Sequence, residues 1–311
     1  MMQQKTISLS AWAQMALLAL IWGGSFLSIK LAVAETGVLS TVAIRVAGAA
    51  AVLWAVLLPM GYRVPREWRI WGAFFVMGFL NNALPFTLIT WGQQSIPTGL
   101  AAILNASTAI FGVLIAALAF RDETLTARKA LGVALGFLGV ATAIGLRNFA
   151  SLDLTSLAQL AVLGASLCYA LSGTFARHAL GGLPPQVAAA GMLTASAAMM
   201  VPLALMREGL PPAHHSAGAW AALGYLAVIA TALAYLLFYR IIARVGAGHA
   251  SLVTLMVAPV SILLGALLLG EVLPLRAYAG FAILALGLVI LDGRLFRRQR
   301  PDVTLSEPGS P

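Results

Sequence analysis

Apolar residues come in long blocks, not in the alternation of strands or the stripes of soluble helices. Blocks of roughly 20 residues recur near 12–33, 40–59, 69–91, 98–120 and 127–146, and again near 157–177, 186–206, 219–240, 249–270 and 275–293. Short connections rich in Pro, Gly and charge separate them, among them GYRVPRE, RDETLTARK, GGLPPQ and REGLPPAHHS. As a helix, each block matches the thickness of a bilayer core. Lipid offers the backbone no hydrogen bonds, and these runs are too long for barrel strands. The pattern therefore predicts an all-α integral membrane protein of ten transmembrane helices.

Composition agrees. Of 311 residues, 61% are hydrophobic and 9% charged, against about 25% charged in soluble domains. The formal net charge of +9 does not imply nucleic acid, because the basic residues are scattered between apolar runs. Cys168 is alone, which excludes an internal disulfide. The first apolar run, Trp12 to Val33, outlasts a signal-peptide core and reads as the first span.

Charge also predicts orientation. With ten spans, both termini lie on one side. That side carries all of the Lys and Arg residues except Arg147, Arg207 and Arg276, which face the other side, and Lys30 and Arg45, which fall within spans. The asymmetry predicts cytoplasmic termini in a bacterial-type inner membrane. Residues 1–10 are then a cytoplasmic N-terminus and 294–311 a basic, disordered cytoplasmic tail.

Two halves, 11–149 and 150–293, repeat one another. Glu123 matches Glu271, Leu125 matches Leu273, Gly132 matches Gly280 and Gly139 matches Gly287, all at one offset. Gly99 matches Gly248 after a one-residue shift, Trp22 stands opposite Tyr169, and Lys30 opposite Arg177. Five spans per half force the halves to face opposite ways. The expected fold is two inverted five-helix repeats around a central cavity, an architecture of secondary transporters.

WGGSF at 22–26, Arg45 in the second span, ALPF…WG at 83–92, PTGLAAILNAST at 97–108 and the paired Glu-x-Leu and Gly elements resemble the EamA-type carriers of the drug/metabolite transporter superfamily. The resemblance spans residues 10–293 and is nearest to YddG-type exporters of aromatic amino acids. It implies a cavity lined mainly by spans 1, 3, 4, 6, 8 and 9, with alternating access. Related sequences often carry Pro after the N-A-S/T-T element, where this chain has Ala109, while the second half keeps Pro259. A kink is therefore expected in span 9 and is in doubt in span 4.

Several polar and aromatic residues inside the spans are candidates for the cavity. Asn82, Phe86, Thr90 and Gln93 recur at helical spacing and share one face. Asn81 falls off that stripe and reads as interhelical glue. Pro85 frees the carbonyl near Asn81 and predicts a bend or gate, as does Pro259. Trp22, beside Gly23, Gly24 and Ser25, sits mid-span, away from the interfacial belt where Trp is enriched. Asn105, Tyr169, Ser172, Tyr235 and Ser251 complete the candidate lining, with packing between helices as the alternative for each.

Arg45 and Lys30 are read as snorkelling or pairing with Glu35, ahead of a substrate contact. His214 and His215 are read as solvated. No Asp or Glu stands mid-span, which favours uniport over proton exchange. No set of residues suggests a metal, a cofactor or intramembrane catalysis. The sequence thus predicts a carrier exporting aromatic and other neutral amino acids and related small metabolites. It would act as a monomer in a lipid bilayer, with no nucleic-acid partner. A drug or other metabolite efflux carrier coupled to protons is the alternative.

Overall fold

The computed structural model describes residues 8–120, 125–145, 154–180, 182–210, 214–245 and 252–292. Ten helical spans lie among them: α1 Leu9–Thr36, α2 Val38–Leu57, α3 Trp68–Gly92, α4 Thr98–Ala119, α5 Ala127–Ile144, α6 Leu154–Ala179, α7 Pro185–Glu208, α8 Ala217–Val245, α9 Leu252–Leu269 and α10 Leu275–Asp292. The first eight are long and apolar enough to cross a bilayer, and α9 and α10 are shorter apolar helices. There is no strand among the described residues. Ser251, His249, Glu123 and the tail lie outside them.

Helix starts follow local chemistry. The hydroxyls of Ser8, Thr126 and Ser216 accept the first free amides of α1, α5 and α8 at 3.3, 3.3 and 3.1 Å. Gly37, at φ 77°, is the single residue between α1 and α2. Its left-handed conformation lets one residue reverse the chain. Other caps come from across the fold. Glu208 accepts the amides of Leu39 and Ser40 at 3.0 and 2.8 Å, closing the start of α2. Glu271 accepts the Thr98 amide at 2.9 Å and its hydroxyl at 2.6 Å, closing the start of α4. Carboxylates are stabilising at these positive helix ends.

The helices pack in symmetric pairs. α5 and α10 run antiparallel, with Gly132 against Gly287 and Leu291, and Gly139 against Gly280 and Leu284. α2 and α7 also run antiparallel: the Trp54 indole donates to Thr194 at 2.9 Å near one end, and Glu208 caps α2 at the other. The larger of the remaining contacts come in matched sets. α1 packs on α9 as α6 packs on α4, α1 on α8 as α6 on α3, and α2 on α8 as α7 on α3. Exchanging each helix with the one five places later maps these contacts onto one another. Corresponding helices that lie antiparallel place the halves in opposite directions. The glycines matched in sequence are the ones that meet at the α5–α10 seam, so the GxxxG spacing there serves packing within the chain.

α9 runs as one helix through Pro259, and α4 breaks at Ala106–Ser107, where there is no proline. The break has a polar cause. Ser107 and Thr108 turn their hydroxyls back onto the carbonyls of Leu104 and Asn105, at 2.6 and 2.7 Å, and so compete with the helix. The single Ser166 hydroxyl of α6 faces the same two carbonyls at 3.3 and 3.4 Å, and the Val162 carbonyl of its own helix at 3.2 Å, so it offers these groups a donor that lipid could not.

α9 packs on the Thr98–Asn105 half of α4, where Gly99 meets Ile262 and Gly265 meets Thr98. The symmetric counterpart would bring residues 246–251, which lie outside the described residues, onto the Thr108–Ala119 half of α4.

A Cβ at Gly139 would lie 2.5 Å from the Leu284 amide nitrogen and 2.7 Å from the Gly280 carbonyl, both backbone atoms. Gly139→Leu is expected to force the α5–α10 seam apart and lower stability by about 1–3 kcal/mol. Gly112→Leu, at a site with open space, is expected to be near neutral. Thermal unfolding in detergent, followed by size-exclusion recovery, checks the pair.

Candidate functional site

The site forms where α2, α3, α6 and α8 meet, and it begins with the backbone. Pro85 has no N–H to give the carbonyl of Asn81, four residues earlier. The helix widens just before it into a π turn, Phe79–Ala83, and the Leu84 amide reaches back to Phe79, five residues away. α8, the counterpart of α3 in the second half, widens at the corresponding place, Tyr225–Leu233, without a proline. Such turns are rare and recur at functional sites. Asn81 and Asn82 lie in the first, and Thr231 lies in the second.

These turns carry a polar network. The Asn81 amide donates to the Tyr235 hydroxyl at 2.8 Å, and Tyr235 donates on to the Asn82 side-chain oxygen at 2.9 Å. Ser172 donates to the Asn81 oxygen at 2.8 Å. Both asparagines thus bond to one tyrosine, although only Asn82 shares the stripe with Phe86 and Thr90. Asn82 is fully buried, and its Nδ2 has no hydrogen-bond partner. Ser172, Phe86 and Thr90 are buried as well.

Arg45 corrects an expectation. It neither snorkels nor pairs with Glu35. It is the one charged side chain among the buried described residues, at 6% exposure. Its Nε donates to Thr231 at 2.9 Å, and its guanidinium lies 3.7 Å over the Phe86 ring. Glu35 instead accepts the Ser216 amide at 2.8 Å and the Ser216 hydroxyl at 2.5 Å, at the start of α8. Lys30 also takes a different partner, donating to the carbonyls of Gln93 and Ile96 at 2.6 and 3.3 Å. That is a cation at a helix C-terminus, where the backbone is negative.

Tyr169 packs against both apolar cores of the bundle and so bridges them. Tyr235 and Tyr239 stack at 6.2 Å, and Phe238 links them to Trp22, whose ring lies 5.3 Å away. Ser25 stands apart, its hydroxyl bonded to the Trp22 carbonyl of its own helix. Asn105 belongs to the α4 break, and its side-chain oxygen is buried without a partner. Pro259 and Ser25 are not part of the cluster. His215 is less exposed than expected: it packs against Trp220 and sits 3.9 Å from Glu35. The sequence reading missed Thr231, whose one visible signal was a hydroxyl four residues before Tyr235.

Two cavities lie elsewhere. One of about 450 Å³ opens between Lys30, Ser95, Ile96, Pro97, Leu269 and Glu271. The other, about 640 Å³, is a mostly apolar groove between α1, α8 and α9. Neither contains a candidate residue of the central cluster.

The model of the EamA-like transporter family matches the chain twice, over residues 10–145 and 156–291. The chain belongs to the EamA-like transporter family. It is thus a multi-pass membrane transporter of the drug/metabolite superfamily, and not an enzyme. This EamA-like transporter is 26% identical over 284 residues to an uncharacterized transporter of Archaeoglobus fulgidus, covering 90% of this chain and 98% of the relative. It is 27% identical over 297 residues to a probable terminal-alkyne amino-acid exporter of Streptantibioticus cattleyicolor, covering 94% and 97%. The uncharacterized inner membrane transporter YedA of Escherichia coli K12 is 25% identical over 88% of each chain. A solved crystal structure at 18% identity superposes with a TM-score of 0.67, covering 94% of this chain and 100% of the other, and shares the fold.

Tyr235→Phe removes one acceptor and one donor from the two asparagines. It is expected to destabilise the transporter by about 1–3 kcal/mol, the cost of leaving buried polar groups unpaired. Tyr239→Phe, which breaks no hydrogen bond in this network, is the control. Thermal unfolding in detergent checks both.

Proposed function

We propose that the transporter exports aromatic and other neutral amino acids and related small metabolites by alternating access, as a uniporter. The observation that carries this reading is the junction at the two π turns. It joins helices of both halves, α2 and α3 with α6 and α8, and offers amides, hydroxyls, aromatic rings and one cation. Such a site suits a zwitterion with an apolar or aromatic side chain. The likeness to a probable amino-acid exporter supports the same substrate class.

The distribution of carboxylates supports uniport. Glu35, Glu208 and Glu271 all sit at one end of the bundle, and each accepts from the start of another helix. None stands beside the junction to exchange a proton for substrate.

Alternating access is supported by the inverted pairing of the halves. The Thr98–Glu271 clamp ties α4 to α9 at one end; if the halves exchange conformations, the clamp opens and its counterpart forms at the other end. With the termini cytoplasmic, the clamped end faces outward. One polypeptide contains both halves and so suffices as a monomer.

Purified protein in liposomes loaded with labelled phenylalanine, tyrosine or leucine is expected to release them down their gradients at a rate unchanged by an imposed pH gradient. Absence of amino-acid flux would overturn the substrate assignment. Flux that requires the pH gradient would overturn uniport.

A further inference from the structure

An arginine inside a membrane bundle ordinarily has an anion or a run of carbonyls to hold it. Arg45 has neither. Its Nε bonds to Thr231 and its face lies on Phe86, which leaves both terminal nitrogens, with four N–H donors, without a hydrogen-bond partner among the described residues. No described carboxylate reaches it. Nearby, the Asn82 Nδ2 is a second buried donor with nothing to bond.

Two links bring these orphan donors together. On α3, Asn82 and Phe86 are four residues apart, hence neighbours on one face, and Arg45 lies on Phe86. On α8, Thr231 and Tyr235 have the same spacing; the first holds Arg45 and the second holds Asn82. Arg45 and Asn82 therefore sit about one helical turn apart across the same junction. Every unpaired side-chain group found on them is a donor, and one bears a positive charge. The complement to a surplus of donors is an anionic acceptor, and a planar carboxylate matches the fork of a guanidinium.

We propose that Arg45 and Asn82 form a carboxylate-binding subsite, with Arg45 gripping the carboxylate and Asn82 donating to it. Thr231 and Phe86 hold the guanidinium in place and leave its outer edge free. The aromatic group Tyr169, Tyr235 and Tyr239 receives the side chain of the same ligand. The carboxylate ends a costly state, a buried cation with no counter-charge. This rests on the amino-acid reading above only for the identity of the ligand; the subsite itself needs only a carboxylate.

The test uses purified full-length protein and four probes that share one ring: phenylalanine, phenylalanine amide, phenethylamine and 3-phenylpropionate. Thermal stabilisation is measured for each, and phenylalanine flux is measured in liposomes. Phenylalanine and 3-phenylpropionate are expected to raise the melting temperature, and the amide and the amine are not. Arg45→Gln is expected to abolish that preference and raise the KM for phenylalanine at least tenfold. Arg45→Lys is expected to recover part of both. Without ligand, Arg45→Gln is expected to melt no lower than wild type, because it removes an unpaired buried charge.

Equal stabilisation by the acid and the amide in the wild-type protein overturns the subsite, whether or not the variant folds. A ligand-free Arg45→Gln protein that melts well below wild type makes Arg45 a structural residue and also overturns it. Stabilisation by 3-phenylpropionate without phenylalanine binding or flux keeps the subsite and rejects amino-acid export.

Discussion

A bilayer interior gives the backbone nothing to bond with, and most of the irregular features of this fold follow from that constraint. Each place where a helix departs from regularity inside the bundle brings its own partner. At the α4 break, Ser166 reaches across from α6 to the freed carbonyls of Leu104 and Asn105. At the end of α3, Lys30 takes the carbonyls of Gln93 and Ile96. At the starts of α2, α4 and α8, a glutamate from a distant segment takes the free amides. The two π turns keep their own backbone bonds by reaching one residue further back, and in doing so they turn Asn81, Asn82 and Thr231 toward the junction.

Symmetry supplies the scaffold. The α5–α10 and α2–α7 pairs each place a helix against its own counterpart, so they are the same in either conformation of two exchanging halves. Gly132, Gly139, Gly280 and Gly287 let the first of these seams close to backbone contact. α4 and α9 also touch each other, at the Glu271 end, where Glu271 accepts from Thr98. A carrier of this design needs rigid self-paired helices at its flanks and helices between them that can trade partners. The polar junction lies between the halves, where such a trade would expose it first to one side and then to the other.

Much of the fold was legible in the sequence because lipid imposes a coarse rule: about 20 apolar residues make a span. The ten blocks correspond to the ten helices within a few residues, and the repeat offset located the glycine seam. Side-chain partners were less legible. Arg45 was read as snorkelling or pairing with Glu35 from its place near a span end, yet Glu35 is used at the start of α8, an encounter set by tertiary packing. A bend was read from Pro259, which lies inside α9, while the break in α4 comes from serine and threonine hydroxyls with no proline to announce it. The π turn of α3 had a signal in Asn-Asn preceding Pro85. The one in α8, Tyr225–Leu233, contains no proline or paired amides to announce it.

The central claim is that α4 and α9 trade contacts between the two ends of the bundle. Paired spin labels measure this directly, in protein with Cys168→Ser. One pair, Ser95→Cys with Val272→Cys, reports the Glu271 end; the other, Leu118→Cys with Leu255→Cys, reports the opposite end. On addition of a transported amino acid in liposomes, the account predicts a new, longer distance in the first pair and a new, shorter distance in the second, with the two populations changing together. Distances that stay single and fixed at both ends, or that lengthen together, would contradict it.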